Sequence, residues 1–197
     1  MKPPIKLPII NSQLVNPSDE SEWKTDIPAA QKRRDPRIWQ MAYIAARRVM
    51  DLSPSTVAQS IIVATALGAL DETRRFLETT FVDGFPSPRS FIASVHNSMA
   101  GALALRFNIT GPNLTVCDDH NSFASALGMC TTLSDHHFPT LLLAIEETFP
   151  LIEDIKRGFT KKCLPWFSQG FGDGAVAFLI DKPQESWQGP CCSSVGP

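Results

Sequence analysis

A chain of 197 residues, 43% apolar and 19% charged with a net charge of −2, suits one globular domain with a real core. That balance excludes a broad basic field for nucleic acid or anionic membrane, and no apolar run is long enough to span a bilayer. The five cysteines are scattered, none in a CxxC pair, which argues against a disulfide framework or zinc ribbon and for the reducing cytosol.

The first eleven residues carry Pro3, Pro4 and Pro8 and no continuous apolar stretch, unlike a signal peptide. The chain is therefore expected in the cytoplasm. Residues 1–34 read as an N-terminal extension, with a short strand at 5–10 and loop beyond. Lys32-Arg33-Arg34, continued by Arg37, Arg47 and Arg48, reads as a solvated linker and helix face. Asp35-Pro36 opens a helix as N-cap acid and first-turn proline, with an apolar face of Ile38, Met41, Ala42, Ala45 and Val49 at helical spacing. Residues 60–65 form a short β-branched run that suits a strand buried on both faces, and a second helix follows over 71–80. After the rigid Pro86-Ser87-Pro88 connector, a third helix is predicted over 90–107. Its stripe is Ile92, Val95, Met99 and Leu103, and Ala100-Gly101-Ala102 is a small face open to close backbone approach. Strands at 113–117, 140–145 and 174–181 are separated by a fourth helix at 122–133. Pro183 stops the last strand, and residues 185–197 read as a flexible tail.

Strands that alternate with helices, and that are continuously apolar, predict an α/β half-fold: a mostly parallel sheet covered by helices on both faces, in one domain over 35–184. An uncovered apolar edge of such a sheet invites pairing with another chain.

Three polar clusters lie beside the strands. Cys117-Asp118-Asp119-His120 has the residue types of a nucleophile with base and orienter. Successive strand positions face opposite sides, however, so Cys117 and His120 do not meet within the strand. The same residues lack a second ligand group for a metal. His136-His137 suits a helix C-terminus. Glu146-Glu147, at a strand end, suits hydrogen bonding to a neighbouring loop better than acid/base work. The glycine-rich run 170–174 precedes a strand instead of opening a helix, which disfavours nucleotide binding. No cofactor is indicated.

Several segments carry a resemblance. Ser94-Val95-His96-Asn97-Ser98-Met99-Ala100-Gly101 runs into Phe107-Asn108-Ile109-Thr110-Gly111-Pro112-Asn113-Leu114-Thr115-Val116. Residues 141–147 (LLLAIEE), Gly172-Asp173-Gly174-Ala175 and, more weakly, residues 65–70 (TALGAL) follow in compatible order and spacing. Together they resemble the N-terminal half of the β-ketoacyl synthases, which have the thiolase-like fold. In that family the nucleophilic Cys stands four residues after the strand valine, where the helix end and oxyanion-hole amides favour the thiolate. Counted from Val116 that position is His120, and Cys117 stands three residues too early. The family's two catalytic histidines belong to a C-terminal half that is expected to be absent here.

The resemblance therefore implies a non-catalytic subunit similar to a chain length factor of aryl polyene or other type II fatty acid or polyketide systems. Such a subunit pairs as a heterodimer with a full-length β-ketoacyl synthase and meets acyl carrier protein through the complex. It also implies that Leu114, Thr115, Val116 and Cys117 form the partner interface. Phe91, Ile92, Val95 and Met99 are then expected to reach the partner's acyl tunnel, although the same stripe equally suits plain core packing. The alternative is a stand-alone acyltransferase or hydrolase using Cys117 or His120.

Overall fold

A computed structural model describes residues 5–152, 154, 172–184 and 188–193. Its sheet runs in the order β3-β2-β4-β5-β1-β6, from strands β1 (Lys6–Val15), β2 (Ser60–Ala64), β3 (Asn113–Val116), β4 (Thr140–Glu146), β5 (Gly174–Ile180) and β6 (Cys191–Ser193). The helices are α1 (Glu20–Trp23), α2 (Ala29–Arg34), α3 (Arg37–Asp51), α4 (Leu70–Phe81), α5 (Pro88–Ser94), α6 (Ser98–Phe107) and α7 (Ser122–Cys130), with short 3₁₀ turns between.

The expectation of a mostly parallel sheet needs correction. Only β2 pairs in parallel, with β3 and β4; β5 is antiparallel to β4 and β1, and β6 is antiparallel to β1. Continuous apolar strands report burial on both faces rather than strand direction. β5 is apolar because it lies between β4 and β1, with Ala175, Ala177 and Leu179 in one core and Ile180 in the other.

Three element boundaries also differ. The predicted strand at 5–10 continues to Val15 through Asn11, Ser12 and Gln13, residues of weak strand preference. Pairing of Ser12 with Phe178 and of Leu14 with Val176 imposes the extended form, as tertiary context overrides propensity. Residues 16–34, read as loop, hold α1 and α2 and bury Trp23 and Ile27 in the main core. The tail expected beyond 185 contributes β6, paired through Leu7 and Cys192; residues 185–187 and 194–197 of that tail lie outside the described residues.

The main core lies between the sheet and α3 with α6. Helix α3 buries Ile38, Met41, Ala42, Ile44, Ala45, Ala46 and Val49. Each large side chain among them contributes about 1.5–3 kcal/mol of burial, so this face fixes the helix across β1, β4 and β5. Pro36 takes the N-cap position of α3, without a side-chain cap. Asp35, expected to cap, instead pairs with Arg106 at 2.6 Å, which ties α3 to α6. The sheet's other face has a smaller core, where α7 packs Ala126, Leu127 and Cys130 on Ile62, Ala64, Leu142 and Ile180.

Candidate functional site

The C-terminal ends of β2, β3 and β4 meet the start of α7, and this corner is where the sequence concentrates its chemistry. After Val116 the chain turns through Asp118 and through Asp119 at φ +48, a left-handed conformation that redirects it into α7. Ser122 pins the turn: its hydroxyl accepts from the Asp118 amide at 2.9 Å and donates to the Thr65 carbonyl at 3.1 Å. His120 rides on this turn with its side chain 65% exposed and Nδ1 at 3.5 Å from an Asp119 carboxylate oxygen. The Cys117 thiol donates to the Ala66 carbonyl at 3.1 Å. Burial pushes its pKa up, and the carboxylates of Glu146, Asp119 and Asp118 add to the effect. A thiol so held stays protonated, the reverse of an activated nucleophile.

The acidic pair at the end of β4 splits its work. The Glu146 carboxylate accepts from the backbone amides of Ala66 and of Leu67, the latter at 3.1 Å, as expected of a loop-bracing residue. Burial raises its pKa and those amides oppose the rise. Glu147 lies on the other side, 3.5 Å from Arg37, and burial pushes its carboxyl up to about 7 against the pull of that arginine. Arg37 forms a bidentate pair with Asp173 at 2.9 and 3.0 Å and meets Glu20 at 2.9 Å. This one guanidinium therefore joins the start of α3, the end of β4 and the lead-in to β5. Sequence reasoning singled out Asp173 and Glu147 and missed Arg37 as the cation that joins them; its place in the Lys/Arg-rich stretch read as solvated surface. Gly174 holds φ +149, and a Cβ there would lie 3.0 Å from the Val15 carbonyl oxygen. Of the glycine-rich run, Gly170 and Phe171 lie outside the described residues.

A cleft of about 420 Å³ opens beside this corner on the second face of the sheet. Leu14, Ala144, Val176 and Phe123 form its apolar floor, with Asp119, His120, Glu146 and Asp173 at one end. Among the described residues, no group of three or more His, Cys, Asp or Glu side chains could hold a metal ion, and no helix is long and apolar enough to cross a membrane.

The four proposed tunnel residues do not share one helix face. The predicted helix over 90–107 breaks after Ser94, because Val95 adopts an extended conformation at φ −75, ψ 123. His96 packs onto Gly68, and Asn97 accepts from the Thr115 hydroxyl at 2.9 Å. Met99, beyond the break, is buried in the main core. Phe91, Ile92 and Val95 are 55%, 59% and 48% exposed, far more than core residues of their size. Gly101 meets no close backbone; its nearest neighbour is a side-chain nitrogen of Asn113.

Among the described residues, strand β3 stands at the edge of the sheet, hydrogen-bonded to β2 alone. The amides of Ile61 and Thr65 donate to the carbonyls of Pro112 and Val116, so the even-numbered residues face β2. By alternation, the backbone groups of Asn113 and Thr115 face outward. The link from Asn97 to Thr115, missed from sequence although both lie in the quoted motif, joins the exposed α5 surface to this open edge.

The profile of the β-ketoacyl synthase N-terminal domain matches residues 10–155. Among solved structures, the chain is similar to one described as a ketosynthase in complex with its chain length factor from Xenorhabdus doucetiae. They share 19% identity at a TM-score of 0.70, over 90% of this chain and 79% of that one. It is similar to a chain of the ishigamide ketosynthase/chain length factor at 20% identity and TM-score 0.63, over 83% of this chain and 48% of that one. A type II polyketide acyl carrier protein in complex with its ketosynthase bound to the hexaketide gives 13% identity and TM-score 0.63, over 91% and 58%. The chain thus spans roughly half the length of the last two relatives, at 48% and 58%. At such identities the likeness establishes the fold, which is thiolase-like. No curated protein matches the sequence.

Proposed function

The chain belongs to the β-ketoacyl synthase N-terminal domain family, and from that premise we propose that it acts as a non-catalytic, chain-length-factor-like subunit. It pairs with a full-length β-ketoacyl synthase in the cytoplasm, stabilises it, shapes its acyl tunnel and meets acyl carrier protein through the complex. The biosynthetic setting is type II fatty acid or polyketide synthesis, with aryl polyene synthesis the favoured case.

What supports this reading is the resemblance counted from Val116, which puts His120 where the family carries its nucleophile, together with a Cys117 thiol that burial and three carboxylates keep protonated. An imidazole there cannot hold the acyl thioester that the condensation uses. The scaffold is kept while its nucleophile is gone, which fits a partner better than a stand-alone acyltransferase or hydrolase.

The surface supports the same reading. The open edge of β3, Asn113–Val116 with Cys117 following, offers outward amides and carbonyls to a strand of the synthase. Phe91, Ile92 and Val95 are exposed on the segment that leads to Asn97, which bonds Thr115 of that edge; a bound synthase would cover them, and bulk at these positions limits the acyl chain. Met99 supports them from the core behind.

Co-expression with a full-length β-ketoacyl synthase and mass analysis of the purified complex test the pairing. Equal stoichiometry with unchanged assembly of His120→Ala is expected. A chain that never co-purifies with a synthase overturns the proposal.

A further inference from the structure

Exposed apolar side chains concentrate at one place on the molecule. Phe81, Val82 and Phe85 are 80%, 79% and 82% exposed, and among the described large apolar residues only Leu105 is comparably exposed. The three form one tip between α4 and α5. The Phe85 amide donates to the Thr79 carbonyl at 3.0 Å and the Ser87 amide to the Thr79 hydroxyl at 3.3 Å, which folds the segment back on the last turn of α4. Residues 81–86 are all exposed. Gly84 turns at φ +74, and a Cβ there would meet nothing within 4 Å, so the tip stands clear of the rest of the described chain.

Cations gather at the base of this tip. Arg89, in the first turn of α5, donates to the Arg34 carbonyl at 2.5 Å, which sets the end of α2 beside it. Lys32, Arg33, Arg34 and Arg89 are exposed, and none of them pairs with a carboxylate among the described residues. The nearby acids are already engaged. Glu72, whose field reaches Arg89, is held by Arg75 at 3.1 Å; Glu78 is held by Arg74, and Asp35 by Arg106 at 2.6 Å. Asp83 is the one carboxylate within the tip. The net charge of −2 gives the chain no broad basic field, so these four cations act as a local group.

We propose that this corner is a peripheral contact for an anionic phospholipid surface. Phe81, Val82 and Phe85 enter the headgroup layer, and Lys32, Arg33, Arg34 and Arg89 meet lipid phosphates around them. The two halves act together. A protruding apolar tip gains by leaving water at the acyl boundary, and cations without carboxylate partners have the charge complementary to an anionic leaflet. Asp83 sets the depth: a carboxylate is costly in hydrocarbon, so the tip rests in the interface. The contact lies on the bilayer without spanning it, as no described helix is long and apolar enough to cross. It leaves the β3 edge open and stands independently of the synthase pairing.

Co-sedimentation of the full chain with vesicles tests the contact, comparing equal parts of phosphatidylcholine and phosphatidylglycerol with phosphatidylcholine alone. Binding to the anionic vesicles and not to the neutral ones is expected, and it should fall as salt rises. Phe81→Ser with Phe85→Ser, and separately Arg33→Glu with Arg34→Glu, should each weaken it by about tenfold or more. All four side chains are exposed, so circular dichroism and melting should match the parent. Leu52→Ser, an exposed apolar position at the far end of α3, should leave binding unchanged. Where the chain is recovered only with a synthase, the complex is measured in the same way. A parent that stays in the supernatant overturns the inference and gives the tip to an acidic protein partner instead. Equal binding to neutral vesicles, binding that survives either pair of substitutions, or loss of binding with Leu52→Ser overturns it as well.

Discussion

Gly68 holds φ +58, and a Cβ there would lie 2.7 Å from Cδ2 of His96. The left-handed backbone and the ring stacked above it both require glycine. Gly68→Ala should destabilise the fold by about 1–3 kcal/mol in urea unfolding, whereas Gly128→Ala, in open space, should not. Glu147 gives a second test. Its carboxyl is pushed up to about 7 in the fold from 4.5, so between those values the folded state binds more protons than the unfolded one. Stability then falls as pH rises from about 4.5 to about 7 and is flat on either side for this group. Glu147→Gln should remove that slope in unfolding curves measured from pH 4 to 8; an unchanged slope would assign it elsewhere. Sequence could place Glu147 at a strand end, but not the burial that shifts it, because burial comes from the chain segments folded over it.

At the scale of elements, apolar patterning located β2, α3 and β4 closely, since each buries a continuous face. It failed where a neighbour decides. The β1 strand is extended because β5 pairs with it, and the break between α5 and α6 comes from Val95, from His96 against Gly68 and from Asn97 against Thr115. That break turns a stripe with two equal readings into two groups: Met99 in the core, and Phe91, Ile92 and Val95 outside. Replacing Ile92 or Val95 by Trp should therefore leave the melting temperature nearly unchanged, yet shorten the longest product of a reconstituted synthase. Stability loss without a length change would return these residues to a packing role. For the edge, Thr115→Pro removes an outward amide and keeps the carbonyls that bond β2. It should weaken synthase binding at least tenfold, read by titration. Thr115→Val, which removes only the hydroxyl bonded to Asn97, separates the backbone contribution from that side-chain link.

At the scale of the molecule, the α/β class and the helices on both faces were legible in the chain, because they follow from apolar runs. The mixed strand directions and the open cleft were not, because both depend on which strands become neighbours. The account's central claim is that the chain works by completing another subunit's active site. The most direct measurement is acyl-thioester elongation by a full-length β-ketoacyl synthase, with and without this chain, followed by mass spectrometry of the products. The account predicts long products only with both subunits, no turnover by this chain alone, and the same output from Cys117→Ala and His120→Ala variants. Turnover by the isolated chain that either substitution abolishes would contradict it.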